Sequence, residues 1–337
     1  MLKVLHMHKL INNPDDIAVE LIDGFVATNK KKVKRIGKHV CARNEAPIAD
    51  KVGIVIGGGA GHEPLFLEFI GKGMADSSVH GQVFAAPTPD RILEAIKAAD
   101  SGKGVILLYN NYAGDVLNFD MAQDFARMEG IQVETVLIND EISAFPPEKA
   151  EERRGTTADH IVIHIAGAAA EAGLSFDEVK ALTEKAVFNS RSLGVSTSSC
   201  TLPETGKATF ELPDGRMEFG MGIHGEAGVK QVDVMTANDT AEELLNQILA
   251  DLPFESGDEV IALINGYGAT TRMEMFIMMR HMHQFLEDKG ITIYDTELGE
   301  FCTAQEMAGV SVTLTKLDDE LKKYYDAPAD SPGYKRF

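Results

Sequence analysis

The chain has 337 residues, 32 basic and 52 acidic, for a net charge of −20 with histidine neutral. Hydrophobic residues make up 44 % and charged ones 25 %, which is globular composition and excludes wholesale disorder. So negative a chain is a poor partner for nucleic acid or anionic lipid, and no apolar run approaches the roughly 18–20 residues that cross a bilayer. Cys41, Cys200 and Cys302 are odd in number and far apart, with no C-x-x-C pair. They suggest neither a disulfide framework nor zinc, and fit a reducing compartment. The N-terminal MLKVLHMHKLINN is a poor signal peptide, so a cytoplasmic location is expected.

Asn13-Pro14-Asp15-Asp16 ahead of Ile17, Val19, Leu21 and Ile22 predicts a capped helix. The basic cluster Lys30-Lys31-Lys32 with Lys34-Arg35 reads as a solvated turn. Val52–Ile56 is a buried-strand pattern that runs into Gly57-Gly58-Gly59-Ala60-Gly61, and similar runs recur at 105–108, 133–138, 260–264 and 291–294. Helical patterns occupy 91–99, 116–128, 158–172, 176–189 and 272–288. This alternation predicts an α/β protein of two α/β domains, with largely parallel or mixed sheets flanked by helices. A change of texture near Ser190, with an extended 193–201 stretch and a hairpin over 210–219 turning on Pro213-Asp214-Gly215, places the boundary between 1–190 and 191–337.

Three glycine-bearing segments could carry chemistry. Small residues from Gly57 to Gly61 let a ligand approach the backbone closely, but His62-Glu63-Pro64 follows, so both the P-loop and the G-x-G-x-x-G fingerprint fail. His62 at that turn is either a pocket residue or a satisfied structural histidine. Asn110-Asn111-Tyr112-Ala113-Gly114-Asp115 follows a strand, where ligands gather in doubly wound sheets, although Asp115 could simply cap the next helix. His224 lies between glycines in Gly220–Gly228. Two histidines and a carboxylate on such loops suit acid–base or nucleophilic chemistry without metal. His281 and His283 diverge on a helix, Met273 to Met282 suggest packing, and Arg153-Arg154 after two glutamates suggests a solvated loop.

GGGAGHEP at 57–64, PTPDRI at 87–92, NYAGDVLNF at 111–119, ERRG at 152–155 and GIHGEAG at 222–228 resemble the dihydroxyacetone kinase K subunit family, in order through almost the whole chain. The resemblance implies that His224 holds the ketone carbon of a short ketose as a hemiaminal, with His62 and Asp115 as acid and base. It implies that Gly59, Ala60, Gly61 and Asn110 bind substrate together with these three. No metal or cofactor is expected on this chain; ATP or ADP with Mg would come from an L subunit, or phosphate from a phosphotransferase-system protein, and no L sequence is expected within these residues. A homodimer is also implied. Asn110 and Ala86 stand where many members carry Lys and Ser, and YNNYAGD and FPPEKAEERRG look more like the branch that uses four-carbon ketoses such as erythrulose. Two functions follow: the ketose-binding subunit of a kinase, or a catalytically silent paralogue that binds dihydroxyacetone and co-activates a transcription regulator.

Overall fold

The computed structural model describes residues 9–337, so the N-terminal stretch read as a poor signal peptide begins outside the described residues. The chain opens with α1 (Ile17–Asn29), then β1 (Val33–Arg35), β2 (Val40–Arg43), β3 (Gly53–Ala60) and β4 (Ser77–Val83). It continues through α2 (Pro89–Ala99), β5 (Val105–Asn110), α3 (Ala113–Met128) and β6 (Val133–Ile138). Two helices follow, α4 (Asp159–Glu171) and α5 (Phe176–Phe188). The second half runs β7 (Ser190–Ser196), β8 (Thr201–Leu202), β9 (Lys207–Ala208), β10 (Arg216–Phe219) and β11 (Lys230–Asp233). After α6 (Ala237–Asp251) come β12 (Glu259–Gly266), α7 (Arg272–Asp288), β13 (Thr292–Gly299) and β14 (Gly309–Leu317). The chain ends with α8 (Asp319–Tyr325) and the short pair β15 (Ala329–Asp330) and β16 (Lys335–Arg336).

The strands form two six-stranded sheets, β1-β2-β4-β3-β5-β6 and β11-β10-β7-β14-β12-β13. In the first, β4, β3, β5 and β6 run parallel and the β1–β2 ribbon is antiparallel at one edge. In the second, only β12 and β13 are parallel. The mixed α/β architecture is therefore as the alternation predicts. Helix α4 explains how the halves join. Twelve of its residues are buried, and a helix apolar on every side must lie inside a protein. One core passes from Ile54, Phe69 and Ile106 through Ile161 and Ile165 to Leu263, Tyr267 and Leu317. A second core lies under α6 and α7, with Leu244, Ile248, Met278, Met282 and Val312. The ring nitrogens of His164 on α4 meet the carbonyls of Gly73 and Tyr325 at 2.9 and 2.8 Å, and the strand pair at the chain's end bridges Lys72 through Asp330.

Several local expectations change. Lys34 and Arg35 lie in β1, not in a turn, because Val33 beside them is a buried strand position. The hairpin is formed by β10 and β11, with residues 210–213 outside any strand; Gly215, at φ +76, turns the chain into β10. Met273 is 68 % exposed, while Met275, Met278, Met279 and Met282 form the packing face. Arg153 is not solvated: it is fully buried and its guanidinium donates to both oxygens of Asp251 at 2.8 and 2.5 Å. Arg154 likewise donates to Glu141 at 2.7 Å.

Candidate active site

The glycine run expected as a loop is part of β3 itself. Its pairing with β4 leaves no room for side chains: a Cβ on Gly57 would lie 2.5 Å from Val79, and one on Gly58 would lie 2.5 Å from the Phe66 ring. The register shifts between Gly58 and Ala60, which leaves Gly59 outside the ladder. Gly57, Gly58 and Gly59 form one wall of a small cavity, whose other lining includes His62, Asn110, Tyr112, Asp115 and His224. Ala60 and Gly61 are not on that wall. The Gly61 N–H donates to the Glu63 carboxylate at 3.0 Å and is not free for a ligand.

His62 follows the strand and is buried. Its Nδ1–H donates to the Thr303 carbonyl at 2.7 Å, which turns Nε2 toward the Nε2 of His224 at 3.0 Å. Burial, and then the charge on His224, bring the His62 imidazole down to about 3, so it is neutral at physiological pH. Phe84 stacks on His62 with ring centres 4.8 Å apart.

His224 comes from the opposite half, on the connection between β10 and β11. The carboxylate of Glu226 accepts its backbone N–H at 2.5 Å and its ring Nδ1–H at 2.9 Å. The turn is compact enough that a Cβ on Gly222 would fall 2.0 Å from Glu226 Oε2. Burial disfavours charge on Glu226, but its bonds and attraction to His224 prevail and bring the carboxyl down to about 2. Tyr112 meets the His224 ring edge-on at 4.7 Å. Glu226, Tyr112, Phe84 and Thr303 went unsingled in sequence; a carboxylate two residues after a glycine-flanked histidine was the one available signal.

Asp115 lies in the first turn of α3. The N-cap is Tyr112 and there is no side-chain capping bond, so Asp115 does not cap the helix. Its Oδ1 is buried without a partner among the described residues. Burial lifts its carboxyl to about 7, with His224 pulling the other way. Asn110 closes β5 on the same cavity, whereas Ala86 is off the lining; a Cβ on Gly114 would lie 3.6 Å from it. The structure thus brings His62, Asp115, His224, Asn110 and Gly59 together from two sheets. His281 and His283 are elsewhere and bond to different partners, Glu242 and Thr296. Among the described residues no group of three or more His, Cys, Asp or Glu could hold a metal ion.

A mixed α/β scaffold in which an imidazole pair and a carboxyl meet at the junction of two sheets is the frame of the dihydroxyacetone-kinase type. The Dak1 domain family matches residues 23–333, and the chain belongs to that family. It is 42 % identical to the Listeria innocua PTS-dependent dihydroxyacetone kinase 2, dihydroxyacetone-binding subunit DhaK, over 98 % of this chain and 99 % of that protein. It is 39 % identical to the L-erythrulose kinase of Pectobacterium atrosepticum, covering 98 % of this chain and 56 % of that one. Among solved structures, the dihydroxyacetone kinase of C. freundii superposes with a TM-score of 0.89 at 31 % identity, over 98 % of this chain and 60 % of that chain. The dihydroxyacetone kinase operon co-activator Dha-DhaQ also superposes at 0.89, with 29 % identity over 95 % of this chain and 99 % of that one. The chain therefore spans the full length of some relatives and a little over half of others.

Proposed function

We propose that this chain is the ketose-binding subunit of a kinase, holding dihydroxyacetone or a related short ketose such as erythrulose as a hemiaminal on His224 while its terminal hydroxyl is phosphorylated. The observation that carries the reading is the contact between the two histidines. Each Nδ1–H is committed to an acceptor, so the two Nε2 atoms face each other at 3.0 Å and are satisfied only with one proton between them. His62, neutral at rest, takes that proton only in passing as the attack begins, which frees the lone pair on His224 Nε2 for the ketone carbon. A C–N bond forms as the carbonyl π pair moves to oxygen, and His62 returns the proton to that oxygen. The ionised Glu226 balances the positive charge left on the ring. A polyol has no carbonyl and cannot form the bond, so selection is chemical as well as steric.

Asp115, poised near neutrality, accepts the proton of the terminal hydroxyl as that oxygen attacks phosphorus. Gly59, freed from the ladder, and Asn110 complete the substrate contacts. Ala60 and Gly61 shape the turn behind them. The glycine run ends in His62-Glu63-Pro64, unlike a P-loop or dinucleotide fingerprint. In this reading ATP or ADP with Mg comes from a separate L subunit, or phosphate arrives through a phosphotransferase-system protein. In this reading the working protein is a cytoplasmic homodimer, divided into residues 1–190 and 191–337.

Intact-mass measurement with dihydroxyacetone and with erythrulose tests the reading, followed by turnover with an L subunit and ATP or a phosphotransferase relay. Absence of any ketose adduct overturns it. The likeness to the Dha-DhaQ co-activator favours a second reading, binding without turnover, which an adduct that no donor system phosphorylates would establish.

A further inference from the structure

Asn110 is only 5 % exposed, and its Nδ2–H donates to Asp159 Oδ2 at 3.3 Å. Asp159, the first residue of α4, is 1 % exposed. The remaining oxygens of both side chains, Asn110 Oδ1 and Asp159 Oδ1, are buried without partners among the described residues. Asn110 lines the cavity, so its amide is the polar group that a substrate hydroxyl on that side would meet. On the other side, the backbone of Gly155 closes against the amide: a Cβ there would lie 2.1 Å from Asn110 Oδ1. The amide is clamped between Gly155 and Asp159.

We propose that Asp159 is the positioning residue of this pocket, holding the Asn110 amide in one orientation so that it favours a ketose with an additional hydroxyl beyond those of dihydroxyacetone. This rests on the ketose-binding reading above.

The neighbourhood disfavours charge on Asp159. Asp140 collects the N–H groups of Thr156, Thr157 and Ala158 at 2.8, 3.1 and 3.0 Å and the Thr156 hydroxyl at 3.2 Å. That nest gathers the donors of this corner on Asp140. Asp159 has no such set of donors, and burial followed by the nearby Asp140 pushes its carboxyl well above the usual range. Its bond to Asn110 is what fixes the amide. A buried site that pairs with a substrate hydroxyl rejects the analogue lacking it, because its own groups are then left unpaired.

The test compares adduct dissociation constants for L-erythrulose and dihydroxyacetone by intact-mass titration, in the full chain and its variants. Asp159→Leu, which frees the amide, should lower the erythrulose preference about fivefold, the worth of one ordinary hydrogen bond. Asp159→Asn, a neutral side chain of the same shape, should restore the preference to within about twofold. A folded Asp159→Leu protein with an unchanged ratio overturns the proposal, as does loss of the preference in Asp159→Asn. Should Asp159→Leu not fold, Asp159→Ala leaves the same amide unpaired and is read the same way. If the unaltered chain forms no adduct with either ketose, the ketose-binding reading fails first and takes this one with it. Adducts with an insensitive ratio leave that reading standing alone.

Discussion

The two sheets contribute to the cavity in opposite ways. The first is parallel at its centre and offers strand ends and a helix start: the β3 wall, Asn110 at the end of β5, and Asp115 in the first turn of α3. Gly57 and Gly58 are held by pairing with β4 and Asn110 by pairing with β6, while Asp115 is set by the start of α3. The second is mostly antiparallel and reaches the cavity with a hairpin connection carrying His224 and Glu226. That connection carries its own internal brace, the carboxylate two residues on. A rigid sheet supplies the acid–base groups, and a loop stiffened from within supplies the nucleophile.

The sharpest way to break this contrast is to remove the loop's contribution. His224→Ala should abolish the ketose adduct entirely by mass spectrometry, and an adduct that persists would place the nucleophile elsewhere. Asp115→Asn should separate the halves: adduct formation is retained, while turnover with the donor system falls by about 10²–10⁴-fold, the ordinary worth of a general base. The same residue sets a pH limb. A base works only when ionised, so turnover should fall about tenfold per unit as pH drops below about 7, where Asp115 takes up its proton. A flat profile in single-turnover measurements from pH 5 to 8 would remove Asp115 from that role.

Glu226→Gln keeps a hydrogen-bond acceptor for Nδ1 but removes the charge. Adduct affinity should weaken about tenfold, measured by mass titration, because a charge-assisted bond is roughly twice as strong as a neutral one. The smallest effect tests the sheet. Gly57→Ala forces a Cβ to within 2.5 Å of Val79 and should cost about 1–3 kcal/mol of stability by denaturant unfolding. Were it neutral, the β3 wall would be more yielding than the loop opposite.

Much of the fold was legible because the β-branched and apolar runs of β5, β6 and β12 carry their burial in composition. β4 was not, since Ser77-Ser78-Val79-His80-Gly81-Gln82-Val83 is a polar strand buried between neighbours. α6, read past in sequence, is acidic on its exposed face and apolar on the other. Residues of the site were readable one by one, because glycine beside histidine or aspartate is a local signal. Their meeting was not, since His62 and His224 are 162 positions apart and only packing unites them. Arg153 misled for the same reason: its neutralising partner, Asp251, lies 98 residues away. Glu63, which occupies the Gly61 N–H, shows that a glycine-rich stretch can spend its donors on its own chain.

The packing of α8 on α4 has a consequence for how the protein is made. Gly333 donates to Glu68 at 2.9 Å, Asp330 to Lys72 at 2.9 Å, and α8 packs on α4, so residues synthesised long after α4 cover part of the first half. During translation, α4 emerges long before α8, and the face of α4 that meets α8 stays uncovered until residues 319–336 leave the ribosome. An early-finished N-terminal half would be a sticky object. A chain so arranged gains most from chaperone contact in the interval between α4 and α8, and a nascent chain stalled there should be the most aggregation-prone of any length.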